Sequence, residues 1–170
     1  LAFDGLGLGD DGTIWGGEFL VATRADFERA AHFKSYRLPG GEKAIQEPWR
    51  MAASVTWAEG LGGDEKIQQL VATGFNSPLT SSAGRLFDAV AALVGLRQQV
   101  RFEGQAAMEL EFALDGVKTD AAYVLRIASH ASPMQLDWAG MIESILDDGA
   151  RGVSIGEISA KFHNALAEAI

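Results

Sequence analysis

Cysteine does not occur among the 170 residues. That absence excludes a disulfide framework, a thiolate metal site and a cysteine nucleophile. Positive charge is also short: Lys and Arg number 14 against 23 Asp and Glu, for a net charge of −9. With no basic cluster, the chain lacks what holds a phosphate backbone, so a nucleic-acid partner is not expected. No apolar run approaches the roughly 20 residues that span a bilayer, and no signal peptide is visible. A cytoplasmic setting without a membrane partner is the expectation. The opening at Leu1, without an initiator Met, reads as a cut from a longer polypeptide. What is present suits a folded unit: 48% of residues are apolar, and a chain of this length buries roughly 70% of its unfolded surface. Glycine is abundant, at 20 residues, and crowds the first stretch, where it favours tight turns and close backbone approach.

Leu1 to Gly5 and Thr13 to Val21 are predicted strands joined across the Asp11-Gly12 reversal signal. Pro48 suits the first turn of a helix running to about Glu59. Asp64 caps a short helix that stops near Gly74. The clearest helix covers Ser81 to Val94, with Ala83, Leu86, Phe87, Val90, Leu93 and Val94 at helical spacing and Gly95 as its stop. Further helices are predicted over Gly104 to Leu114, Asp137 to Leu146 and Ile155 to Ala169. The last of these starts with the Ser154/Glu157 capping box. Ala121 to Ala128 reads as a strand. The expected class is α+β, mostly helical with a small sheet, in a single unit over residues 1–170.

Five ordered blocks carry a resemblance. DGLGLGDDGTIWGGEF (Asp4 to Phe19), LPGGEKAIQEPWR (Leu38 to Arg50), TSSAGRLFDAVAALVGL (Thr80 to Leu96), FEGQAAMELE (Phe102 to Glu111) and KFHNALA (Lys161 to Ala167) together resemble the C-terminal, TsaD-like part of HypF-type carbamoyltransferases. Singly, each string is common; their joint order is specific. The resemblance implies part of a two-lobed fold of the actin, Hsp70 and sugar-kinase group. It also implies a reaction in which carbamoyl phosphate and ATP give a carbamoyl adenylate. The carbamoyl group then passes to the C-terminal cysteine of a HypE partner, on the way to the cyanide ligands of nickel-iron hydrogenase. The competing readings are a TsaD-like threonylcarbamoyltransferase acting on tRNA and a non-catalytic docking domain for a maturation partner.

By resemblance, Asp4 matches a ligand of a divalent metal (Zn, Fe or Mg). On its own it could equally be a turn-capping Asp. Gly5 and Gly7 could bring N–H donors to phosphate oxygens in a concave nest; Gly9 reads as structural. Arg85 and Asp88 lie on the flank of their helix opposite the apolar stripe, facing a cleft or forming a surface i, i+3 ion pair. The resemblance assigns Asp88 and Glu109 to the nucleotide ribose and lets the chain pass close to the nucleoside at Gly104. Trp49 and Arg50 anchor a helix start or line the carbamoyl side. His163 and Asn164 read as packing or interlobe contacts, and His32 and His130 have no partner at ligand spacing. The HxxxH pair of the family's metal site is missing, and Glu42 stands where the family pattern has Asp. With one metal ligand of four, the chain is expected to have little activity alone, and its cut faces are expected to favour self-association.

Overall fold

The computed structural model describes residues 1–62, 64–128 and 131–170. His130 lies outside the described residues. Seven strands form one mixed sheet: β1 (Ala2–Leu8), β2 (Ile14–Ala22), β3 (Phe27–Phe33), β4 (Tyr36–Arg37), β5 (Leu79–Thr80), β6 (Arg126–Ala128) and β7 (Met134–Asp137). The path runs β4-β5-β2-β3-β7-β6, with β1 pairing β2 off this path. The helices are α1 (Lys43–Gln46), α2 (Pro48–Ala58), α3 (Glu65–Thr73), α4 (Ala83–Leu93), α5 (Gln105–Phe112), α6 (Ala139–Ala150) and α7 (Ile155–Glu168). Helices hold more residues than strands, as composition and periodicity predict.

Local chemistry sets the boundaries. Pro48 starts α2 at a position where a missing N–H costs nothing. The Asp64 carboxylate accepts from Lys66 N and Ile67 N, and Gly74 closes α3 at φ 71°. Ser82 accepts from Arg85 N at the start of α4, and Ser154 accepts from Glu157 N at the start of α7. Each hydroxyl or carboxylate satisfies a donor that the first helical turn leaves open.

The core is one continuous cluster in which Phe33, Met51, Leu86, Leu110, Trp138, Ile142 and Phe162 are fully buried. At its centre α4 packs against α2, α5, α6 and β1. Ala89, Ala91 and Ala92 permit close approach on flanks that a one-sided amphipathic helix would leave wet. This corrects the expectation of a single apolar stripe with a cleft-facing back, because α4 is enclosed nearly all round. Ala121 to Ala128 is also not one strand: only Arg126–Ala128 pairs, and Tyr123 is held by its N–H to Lys161 O.

Among the described residues β6 pairs only with β7, and Ile127 and Val124 beside it are 64% and 68% exposed. An open, apolar edge of this kind is a template for association. At high concentration the isolated chain is expected to sediment as more than a monomer, and a clean monomer across the range would remove this expectation.

Candidate functional site at the β1–α4 junction

The strand carrying the glycine string does not end at Gly5 as the sequence suggests. It continues to Leu8, and its ladder with β2 shifts register between Phe3, opposite Gly17, and Gly7, opposite Trp15. Asp4, Gly5 and Leu6 occupy that irregular stretch, the kind of place where strands redirect a side chain. Asp4 is therefore an exposed mid-strand residue. Its Oδ1 accepts from Gly5 N at 2.6 Å, so one carboxylate oxygen caps the local backbone.

Ser82 fastens this stretch to α4. Its hydroxyl hydrogen lies between two carbonyls, Asp4 O at 2.9 Å and Gly5 O, while its oxygen accepts from Arg85 N at 3.1 Å. The backbones meet closely: a Cβ placed on Gly84 would lie 3.0 Å from Gly5 Cα. At Gly5 the absent side chain matters too, since a Cβ there would lie 2.6 Å from Glu103 Oε1. Gly7 has only an ordinary neighbour, Trp15 O at 3.9 Å. Neither Gly5 nor Gly7 has positive φ. Gly7 is a ladder residue opposite Trp15 and Gly5 lies in the irregular stretch of an extended strand, not in a left-handed turn of the kind a concave nest uses.

Behind Gly5 lies a buried pair. Arg85 and Asp88 are each 2% exposed, with Nη1 and Oδ2 3.1 Å apart. The groups are close enough for charge attraction yet poorly aligned, and Arg85 Nε, Arg85 Nη1 and Asp88 Oδ2 have no hydrogen-bond partner among the described residues. Burial pushes the Asp88 carboxyl up to about 6, against the pull of Arg85 and with a further push from Glu103. The pair is not the surface ion pair expected from i, i+3 spacing. It is a desolvated, incompletely satisfied one.

Glu109 belongs to a different setting. Arg97 grips it with two donors, Nε at 2.7 Å and Nη2 at 2.5 Å, and Gln105 Nε2 adds a third at 2.9 Å. The Arg97 hydrogen bonds hold its carboxyl below the usual range. Gly104 is the N-cap of α5 at φ 79°, a left-handed conformation suited to glycine, and a Cβ there would meet open space. Asp88 and Glu109 thus sit on adjacent helices with separate partners. Trp49 and Arg50 stack on one another at 4.9 Å at the start of α2, and Arg50 pairs with Glu47. His163 meets the Phe87 ring in a T-shaped contact at 5.3 Å, and Asn164 donates to Thr119 O and Ala121 O; both pack. His32 is buried, with Nδ1 2.8 Å from Phe33 O, and burial followed by the charge of Arg29 holds it below the usual histidine range.

Sequence reasoning missed a second polar network beside this junction. Glu18, 1% exposed in the middle of β2, accepts from Gly16 N and Gly17 N at 3.2 Å and from Ser81 Oγ. Arg29 on β3 pairs with it through Nε, reaches Asp11 with Nη1 at 2.9 Å and Ser81 Oγ with Nη2 at 3.2 Å, and lies 4.2 Å over the Trp15 ring. A carboxylate inside the apolar string around WGGEF was the available signal, because a buried charge demands a partner. Its partner was hidden because β3 is too charged to read as a strand.

The model of the family described as carbamoyltransferase, Kae1-like domain, second subdomain, matches residues 1–170, and the chain belongs to that family. Its relatives are HypF proteins. It is 35% identical to the carbamoyltransferase HypF of Synechocystis sp. over all of this chain and 26% of that protein. It is 37% identical to a carbamoyltransferase HypF homolog of Cupriavidus necator over all of this chain and 48% of that one. A full-length HypF solved in a phosphate- and nucleotide-bound form superposes with a TM-score of 0.90 at 37% identity, covering 99% of this chain and 23% of that one. The chain therefore spans about a quarter to a half of the length of these relatives.

Among the described residues no group of three or more His, Cys, Asp or Glu is placed to hold a metal ion. Asp4 can offer one carboxylate, so these residues do not make a metal centre by themselves. Nor is any described helix long and apolar enough to cross a membrane.

Proposed function

We propose that this chain is the part of a HypF-type enzyme that holds the nucleotide end of a carbamoyl adenylate during carbamoyl transfer. The observation that carries this reading is the β1–α4 junction. It joins an irregular glycine strand, a doubly used Ser82 and a buried Arg85 with unused donors, in a chain whose solved relative binds phosphate and nucleotide. In this proposal ATP and carbamoyl phosphate are the substrates, and the acceptor is the C-terminal cysteine of a HypE partner. The acceptor sulfur attacks the carbamoyl carbon, the carbon–oxygen bond to AMP breaks, and AMP leaves with the electron pair. Arg85 would offset phosphate charge, and Asp88 and Glu109 would accept from ribose hydroxyls. Metal binding through Asp4 would need donors from outside these residues.

Glu109 gives the cleaner test, because its pairing with Arg97 is partly exposed and such pairs contribute only about 0–1 kcal/mol. In a full-length carbamoyltransferase carrying this segment, Glu109→Ala is expected to leave the melting temperature nearly unchanged. Its ATP affinity should fall about ten- to a hundredfold, since hydrogen bonds to a charged acceptor contribute about 1.5–3 kcal/mol. Calorimetric titration with ATP beside a thermal melt decides it. Equal ATP affinity in the variant and the parent removes Glu109 from the site.

A further inference from the structure

Glu103 stands at the mouth of the Arg85–Asp88 pit. Its side chain is 60% exposed, yet Oε1 comes within 3.5 Å of Arg85 Nη2 and fills the space that the missing Gly5 side chain leaves open. Arg85 itself is buried to 2% exposure, with Nε and Nη1 lacking hydrogen-bond partners. A guanidinium is built to grip a phosphate or carboxylate with two parallel donors. Here the Glu103 carboxylate contacts it long and through one oxygen, at the solvent side. A single long contact to a carboxylate that is itself 60% exposed holds weakly, so an anion able to use more of the guanidinium displaces it.

We propose that Glu103 is a displaceable stand-in for a phosphate group: a phosphate oxygen entering beside Gly5 takes its place at Arg85 Nη2, and Glu103 turns out to solvent. The proposal rests on the nucleotide reading above and adds a residue that tunes affinity by charge. The ligand class is a phosphate-bearing molecule, and ATP, carbamoyl phosphate and inorganic phosphate are its possible sources. Glu103 competes with all three and is indifferent to a nucleoside without phosphate.

The experiment is calorimetric titration of a full-length carbamoyltransferase carrying this segment, and of its Glu103→Gln variant, with ATP, carbamoyl phosphate, inorganic phosphate and adenosine. Glutamine keeps the size and removes the charge at an exposed position, so the melting temperature should hold. The variant is expected to bind at least one of the phosphate-bearing ligands about two- to fivefold more tightly, the size of a lost exposed ion pair. Adenosine affinity should stay the same. The ligand that gains identifies the source of the phosphate. Equal affinities for every phosphate ligand overturn the proposal while leaving the nucleotide reading in place if ATP binds both proteins. A loss for adenosine and ATP alike also overturns it, since Glu103 would then be a ribose contact. A gain for inorganic phosphate without any ATP binding keeps the proposal and removes the nucleotide reading. Absence of binding by any of the four ligands to either protein removes both.

Discussion

Glu18→Ala is expected to destabilise the chain by about 3–5 kcal/mol, because it removes a buried carboxylate that accepts from Arg29, Ser81 Oγ, Gly16 N and Gly17 N at once, and leaves Arg29 with the more exposed Asp11 as its counter-charge. In a protein of this size that corresponds to a fall in melting temperature of roughly 6–20 °C. The effect should depend on pH in a stated direction. Glu18 has a folded-state value below its ordinary 4.5: burial opposes ionisation, but the hydrogen bonds from Arg29, Ser81, Gly16 N and Gly17 N outweigh it. A carboxyl depressed by folding contributes stability that is present above its unfolded value and is lost as pH falls through the folded one. The advantage of the parent chain over Glu18→Gln should therefore be full near neutrality and shrink as pH drops below about 4.5. Thermal melts of parent, Glu18→Gln and Glu18→Ala between neutral and acid pH measure it. A glutamine variant as stable as the parent at neutral pH would show that the charge contributes nothing.

Asp88 carries the opposite sign. Its carboxyl is raised by folding, from 3.8 to about 6, so it favours the folded state fully below its unfolded value and loses that contribution as pH rises through about 6. Relative to Asp88→Asn, the parent is expected to become less stable as pH climbs between these values, by up to about 3 kcal/mol at 1.36 kcal/mol per unit. The attraction of Arg85 and the cost of burial pull against each other here, and the geometry favours burial, since the pair is misaligned and both groups keep unused atoms. Even so, Asp88→Ala should cost about 3 kcal/mol near neutrality, because it leaves the buried Arg85 with the long contact to the exposed Glu103 as its counter-charge. Replacing both members together by leucine should recover most of that loss. A double variant no more stable than Asp88→Ala would mean that the site needs the charges rather than the volume.

Apart from the four-residue α1, which the sequence does not predict, the helices were legible because their signals are local. Pro48, Asp64, Gly74, Ser82, Gly95 and Ser154 each satisfy or break a backbone pattern within one turn. The sheet was only half legible. β3 reads FERAAHF, and its alternation is disguised because Arg29 is held by Glu18, Asp11 and Ser81 and His32 by the Phe33 carbonyl, not by their own hydrophobicity. The two-residue strands β4 and β5 exist through tertiary pairing alone. At the site, Gly5, Arg85 and Asp88, all named from the sequence, do lie together, with Glu103, which was not named, between Gly5 and Arg85. What spacing could not reveal was the enclosure of α4, which turned an expected surface flank into a desolvated pit. Enclosure depends on where α2, α5 and α6 pack, and no feature of the α4 sequence reports that.

Ser82 has a mechanical consequence. One hydroxyl group is at once the cap of α4, the clasp of β1 and the neighbour of the carbonyl that Tyr36 donates to at 2.6 Å. Strand and helix therefore meet without slack: a tug on Asp4 or Gly5 is delivered to the first turn of α4, and from there to Arg85, with no flexible linker to absorb it. The junction is a direct link, one hydroxyl wide, between the glycine strand and the helical turn that carries the guanidinium.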